Sequence, residues 1–72
     1  MENSWKQVYS SGNPVHIDIL QNLFLEKDIK SVFVNKQDSS YLFGEIELYV
    51  KETDILQARQ IIRKFEENEK AG

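Results

Sequence analysis

The spacing of apolar residues along the chain predicts two helices. Between Val15 and Lys27, apolar side chains recur at the three- and four-residue spacing of a helix with one buried side. Asn13 can cap this helix through its side-chain oxygen, and Pro14 suits the first helical position, where a backbone N–H would have no partner. A second helix begins near Asp54, with its apolar residues within about one third of the circumference. The apolar residues are Ile17, Ile19, Leu20, Leu23 and Phe24 in the first helix, and Ile55, Ala58, Ile61, Ile62 and Phe65 in the second.

Three further segments predict β-strands. Residues 5–9 are β-prone and end at a polar turn, and residues 29–35 are rich in β-branched side chains. Residues 45–50 carry the clearest pattern, in which apolar and polar or aromatic residues alternate as in a half-buried strand. Ile46, Leu48 and Val50 form one side of that strand, and Glu45, Glu47 and Tyr49 form the other.

The predicted order is β-α-β-β-α, with a loop over residues 36–44 and a polar C-terminal tail, residues 66–72, that we expect to fray. A right-handed crossover favours a split β-α-β arrangement, in which the third strand lies antiparallel between the first two. The sequence therefore predicts an α+β, ferredoxin-like fold that lacks the fourth strand. It has a three-stranded antiparallel sheet with both helices on one face. A chain of 72 residues forms one domain, residues 1–72, with an ordered core at about 5–66.

This arrangement leaves the second face of the sheet without a helix layer. Strand alternation predicts Val8, Val32 and Val34 on the covered face with Ile46, Leu48 and Val50. Four aromatic residues are then predicted on the open face: Trp5, Tyr9, Phe33 and Tyr49. A contiguous apolar patch marks a contact surface, and Trp and Tyr are enriched at binding hot spots. We therefore predict that these residues bind a protein partner, either another protein or a second copy of the chain in a homodimer.

Three alternatives to this interpretation remain open. The loop residues Tyr41–Phe43 can fold back over the open face and form a second small core with it. A slip of one residue in the register of a strand would exchange its two faces. Some sheets of this topology stack RNA bases on strand aromatics, but here Glu45 and Glu47 would repel phosphate, and the net charge is −3. We expect no nucleic-acid partner.

Composition excludes several classes of protein and of site. Apolar residues make up 40% of the chain and charged residues 29%, as in an ordinary globular domain. No apolar run could span a bilayer and the N-terminus has no signal-peptide pattern, so we expect no membrane partner and a cytoplasmic location. The chain has no cysteine for a disulfide, a thiolate zinc site or thiol catalysis, and its one histidine, His16, gives no metal-ligand cluster.

Candidate chemistry is sparse. Glu45 and Glu47 could act as an acid–base pair, but a three-stranded sheet offers little depth for shifting a pKa. No glycine-rich phosphate loop is present, so we predict that the protein is not an enzyme and takes no cofactor. The alternative function is a small-ligand sensor. Ser10, Ser11 and Asn13 gather at the start of the first helix, where backbone N–H groups can hold an anion or an anionic metabolite, although helix capping explains them equally well.

Several of these residues resemble a known family. The pair Asn13-Pro14, the segment Glu47-Leu48-Tyr49-Val50 and the position of Ala58 resemble the small bacterial domains described as putative prokaryotic signal-transducing proteins, over residues 6–65. The resemblance implies a ferredoxin-like fold, a distant similarity to the nitrogen-regulatory PII proteins, and a signalling role without transferable site residues. The long loop and the phosphate-binding residues of PII proteins have no counterpart here.

The chain departs from the family pattern at two positions. Family members usually have Gly in place of Asp28 and Pro in place of Lys51. Because Gly fits a left-handed helix end better than Asp, we expect the turn after the first helix to differ. The leading hypothesis is a non-enzymatic, cytoplasmic signalling or protein-interaction module that acts through its aromatic sheet face.

Overall fold

The structure, a computed structural model, describes residues 4–37 and 44–71. The elements are β1 (Trp5–Ser11), α1 (Pro14–Glu26), β2 (Ser31–Asn35), β3 (Ile46–Lys51), one turn of 3-10 helix (Glu52–Asp54) and α2 (Ile55–Ala71). β3 lies between β1 and β2 and runs antiparallel to both. This confirms the predicted β-α-β-β-α order and the ferredoxin-like arrangement, with three strands in the described part of the chain. In the described part of the chain, no helix has the length and apolar character needed to cross a membrane.

The core lies between the sheet and the two helices. Phe24 and Leu20 of α1 are fully buried, as is Leu48 of β3. The alternation predicted for β3 is confirmed, since Ile46, Leu48 and Val50 are all buried. The remaining buried apolar residues are Ile17, Ile29, Ala58, Ile62 and Phe65. The helices therefore cover one face of the sheet through their apolar sides.

α1 ends in a left-handed turn at Asp28, where φ is 63°. The Asp28 N–H donates to the Leu25 carbonyl at 2.9 Å, and the Ile29 N–H donates to the Phe24 carbonyl at 2.8 Å. These two bonds are the Schellman pattern of a helix end, in which an apolar contact between Ile29 and Phe24 is also expected, and both side chains are buried. The expectation that this turn differs is wrong. Asp28 adopts the conformation that glycine would adopt.

α2 is longer than the sequence pattern predicts. The helix continues through Ala71, where the polar composition suggested a frayed tail. The Glu69 carboxylate lies 3.6 Å from Nε2 of His16, near the start of α1. Lys70 sits in the last turn, where a cation interacts favourably with the helix dipole. The apolar pattern of α2 alone could not predict this contact with His16, which is made by a residue of the predicted tail.

A β-bulge in β1 changes the side on which Tyr9 lies. Gln7 pairs with Tyr49, but Tyr9 pairs with Leu48, so the register shifts by one residue around Val8. An extra residue in one strand reverses the facing of all residues beyond it. Tyr9 consequently lies on the covered face, with its ring edge-on to Phe65 at a centroid distance of 6.4 Å. The prediction that Tyr9 lies on the open face is wrong.

The register of β2 is also the reverse of the predicted one. Phe33 pairs with Leu48 and therefore points to the covered side, whereas Val32 pairs with Tyr49 and Val34 with Glu47 on the open side. The predictions for Phe33 and for the two valines are wrong because three consecutive apolar residues contain no polar position that fixes the phase of the alternation. β2 is an edge strand, and the Phe33 side chain remains 53% exposed.

Candidate interaction surface

The sheet face opposite the helices carries eight strand residues, which we call the open face. They are Trp5, Gln7 and Ser10 of β1, Val32 and Val34 of β2, and Glu47, Tyr49 and Lys51 of β3. Tyr49 lies at the centre, between Gln7 on one side and Val32 on the other. Of the four aromatic residues predicted as a binding surface, the structure places Trp5 and Tyr49 on the open face, while Tyr9 and Phe33 lie on the other side of the sheet.

A polar network organises the middle of the open face. The Tyr49 hydroxyl donates a 2.8 Å hydrogen bond to Oε1 of Glu47, and Nζ of Lys36 lies 3.4 Å from the same oxygen. This hydrogen bond, with some burial and the negative charge of Glu47, raises the pKa of Tyr49 above its ordinary value of 10.0. Tyr49 is therefore neutral at physiological pH, and its ring is held in place by its hydroxyl.

The two ends of the open face differ in charge. At one end, Nζ of Lys51 lies 5.4 Å from the centroid of the Trp5 ring, within the range of a cation–π interaction. Lys30 lines a cavity of about 500 Å³ together with Trp5, Val32 and residues of α1 that include Asp18, so two lysines and one carboxylate lie near this end. At the other end, the Ser10 hydroxyl donates a 2.9 Å hydrogen bond to Oε1 of Glu45. Glu47 lies two residues further along the chain. A partner can therefore distinguish the two ends by charge.

The three residues predicted as an anion site do not converge. Ser10 lies on the open face beside Glu45, whereas Ser11 pairs with Ile46 on the covered side. Oδ1 of Asn13 accepts the Val15 N–H at 3.0 Å and caps α1. The Ser11 hydroxyl oxygen accepts the Asn13 N–H at 3.0 Å. These groups make internal hydrogen bonds, and binding of a small ligand to them stays a prediction.

His16 joins the beginning of α1 to β1 and α2. Its Nδ1 lies 3.3 Å from the Ser11 hydroxyl, and its ring is edge-on to Phe65 at a centroid distance of 5.4 Å. Tyr9 contacts the same Phe65 ring, and its pKa is raised by burial first and by the negative charge of Glu66 second. The cluster is an aromatic contact with polar groups at its rim, and it fixes the position of α2 on the sheet.

Within residues 4–37 and 44–71, no three His, Asp or Glu side chains are grouped closely enough to hold a metal ion. The two carboxylates considered for acid–base chemistry accept separate hydrogen bonds, Glu45 from Ser10 and Glu47 from Tyr49. The prediction that Tyr41–Phe43 cover the open face concerns residues outside the described ranges.

Sequence reasoning missed four residues of the open face. Ser10 was assigned to the turn before the first helix. Val32 and Val34 were assigned inward, and nothing in the Val-Phe-Val run distinguishes the two phases. Lys51 could have been found, because it continues the alternation of β3 one residue beyond Val50.

A family described as putative prokaryotic signal transducing protein matches residues 5–66, which is most of the chain. No curated protein and no solved structure matches the chain.

Proposed function

The chain belongs to this family of putative prokaryotic signal transducing proteins. From that premise we propose that it is a non-enzymatic module of a cytoplasmic signalling system. We propose that this module binds a partner protein through its open face. Family membership supports a role in signalling in general. The mode of action is supported by a single observation: half of the eight strand residues on the face without a helix layer are apolar or aromatic, namely Trp5, Val32, Val34 and Tyr49.

The apolar part of the open face is contiguous. Val32 and Val34 are 42% and 44% exposed, and Trp5 is 42% exposed. Tyr49 pairs directly with Val32 and so connects the valines to the centre of the sheet. Aromatic residues with restricted side chains lose little entropy on binding, which is one reason for their frequency at hot spots. Trp5 and Tyr49 are therefore the residues expected to contribute most to affinity.

The charges define the chemistry of the partner. A matching protein surface has an apolar centre and a carboxylate that reaches Lys51 and Lys30 at the Trp5 end. A basic group of the partner would meet Glu45 at the other end. Complementary charges at the rim of an interface affect orientation and association rate more than affinity. Three short strands offer less area than the roughly 800 Å² that each partner buries in a stable complex, so the interaction belongs to the weak, transient class.

The experiment is affinity capture from the source cell with immobilised protein, followed by quantitative mass spectrometry. Wild type is compared with the double variant Trp5→Ser/Tyr49→Ser and with Leu56→Ser as the control. Leu56 is a 77% exposed apolar residue of α2, on the opposite side of the domain from the open face. Each variant is first checked for a native circular dichroism spectrum, because loss of folding would remove any surface.

The result expected is a protein that wild type and Leu56→Ser retain and that the double variant loses. The purified partner should then shift the amide resonances of β1 and β3 on the open face. A partner retained equally by all three folded proteins would contradict the proposal. A partner whose resonance shifts lie on the helices would also contradict it.

A further inference from the structure

The two edges of the sheet are protected to different degrees. β1 carries a bulge at Val8 and a lysine, Lys6, and both features hinder pairing with another strand. β2 has regular pairing over its whole length and the sequence Ser-Val-Phe-Val-Asn, with no charge and no proline. Natural proteins usually block such an edge, because an uncharged and regular strand is a template for another strand. Among the residues that the structure describes, the β2 edge is therefore the less protected one.

The hydrogen-bonding groups of β2 can be assigned to its two sides. The Lys36 N–H donates to the Glu45 carbonyl at 3.2 Å, so the backbone of Lys36 faces β3. Backbone direction alternates along a strand, so Val32 and Val34 also face β3. Ser31, Phe33 and Asn35 direct their N–H and C=O groups to the outer edge. Within residues 4–37 and 44–71, no strand pairs with that edge.

We propose that β2 pairs antiparallel with β2 of a second copy, across a two-fold axis at Phe33. A two-fold interface requires a surface that is complementary to itself. The order of side chains in β2 meets this requirement, because it is nearly the same in both directions. Phe33 would face Phe33 of the second copy, and Val32 would face its Val34. Ser31 would face its Asn35. Three residue pairs would then exchange backbone hydrogen bonds, and the two sheets would join into one of six strands.

The exposed area of the edge sets the strength of this dimer. Val32, Phe33 and Val34 are 42%, 53% and 44% exposed. Together they offer about 250 Å² of side-chain surface per copy, well below the roughly 800 Å² per partner of a stable complex. We therefore expect a weak, concentration-dependent dimer rather than a permanent one.

Lysines at the two ends of β2 would weaken the dimer by electrostatic repulsion. One residue beyond each end of β2, Lys30 would face Lys36 of the second copy, and like charges directly opposite each other weaken strand pairing. Lys36 is partly compensated by Glu47 at 3.4 Å. Added salt screens the repulsion between the lysines. The Kd of the dimer should therefore fall as the salt concentration rises. By contrast, the association rate of the partner proposed for the open face should fall.

The first test is sedimentation velocity of the full chain over a range of concentrations. Phe33→Lys places like charges on the two-fold axis and should raise the Kd by at least about tenfold. Leu56→Lys is the matched control, since it replaces another exposed apolar residue by lysine, and should leave the Kd unchanged. Circular dichroism establishes that both variants are folded. A wild-type protein that stays monomeric at millimolar concentration would overturn the proposal.

A second test locates the axis. The chain has no cysteine, so Phe33→Cys introduces one thiol per copy. In a hydrogen-bonded antiparallel pair, opposite Cα atoms are about 5.5 Å apart, within the range that a disulfide spans. At protein concentrations near or above the Kd, mild oxidation should link Phe33→Cys into a covalent dimer much faster than it links Leu56→Cys, whose thiols meet only by random collision. Equal rates for the two variants would overturn the proposal.

The dimer and the proposed partner binding can be tested separately. Trp5→Ser/Tyr49→Ser should leave dimerisation unchanged, and Phe33→Lys should leave the open face of each copy intact. A dimer that the open-face variant abolishes and that Phe33→Lys leaves intact would refute edge pairing. Failure to find a partner protein would leave the edge dimer unaffected.

Discussion

Replacing Asp28 by glycine should stabilise the domain. Asp28 occupies the left-handed position of the turn after α1 with a φ of 63°. That conformation costs an ordinary residue about 1–2 kcal/mol, and less for Asp. Glycine removes this cost, but it loses about 0.5–1 kcal/mol more backbone entropy on folding. Removal of a carboxylate from the negative end of the helix dipole contributes a further gain of about 0.3–1 kcal/mol. The net expectation is about 1 kcal/mol of added stability.

The measurement is urea denaturation followed by the fluorescence of Trp5, the only tryptophan, with a thermal melt as a second probe. For a domain of this size, 1 kcal/mol raises the Tm by about 4–8 °C. Asp28→Asn removes the charge but keeps the shape, and Asp28→Ala keeps a Cβ without the polar group. The expected order of stability is Gly, Asn, Asp, Ala. A neutral or destabilising Asp28→Gly would refute the reasoning, because it would mean that the turn is not strained or that the Asp28 carboxylate stabilises it.

Two further changes probe the open face and the core. Glu47→Gln removes the charged acceptor of the Tyr49 hydroxyl and should lower the pKa of Tyr49 toward 10.0, which ultraviolet absorbance during an alkaline titration measures. Because the pKa of Tyr49 is raised in the folded state, the contribution of Tyr49 to the free energy of unfolding is complete below pH 10.0. That contribution is lost as the pH rises through the folded-state pKa. An unchanged pKa of Tyr49 in Glu47→Gln would contradict this assignment. Phe24→Ala empties a fully buried position and should cost about 3–5 kcal/mol, most of the stability of a small domain. Circular dichroism should show an unfolded or marginally folded chain, and a loss below 1 kcal/mol would mean that the core collapses around the gap.

The open face and the β2 edge would recognise their partners by different means. The open face is a chemical surface, in which side chains and their charges select a partner. The β2 edge is a backbone surface, in which hydrogen-bonding direction and a nearly palindromic strand select a second copy. If both operate, dimerisation would place two open faces side by side in one sheet. A partner with two binding segments would then gain affinity through effective concentration rather than through new contacts.

Element types and their order could be derived from the sequence because they depend on local periodicity. The polar residues of β3 mark one side of that strand unambiguously, and Ile46, Leu48 and Val50 are buried as the alternation requires. The helices likewise show which of their sides are apolar. Asn13 and Pro14 mark the beginning of α1 through local capping chemistry alone.

Long-range pairing between the strands selects which residues share the open face. The bulge at Val8 depends on how β1 meets β3, and no residue of β1 signals it in isolation. In β2, the apolar Val-Phe-Val run fits either phase, and pairing with β3 selects the one that turns Phe33 away from the open face. Strand facing has a period of two, so a single inserted or shifted residue exchanges the faces. Local sequence therefore determined which segments form strands, and long-range pairing determined what those strands present to a partner.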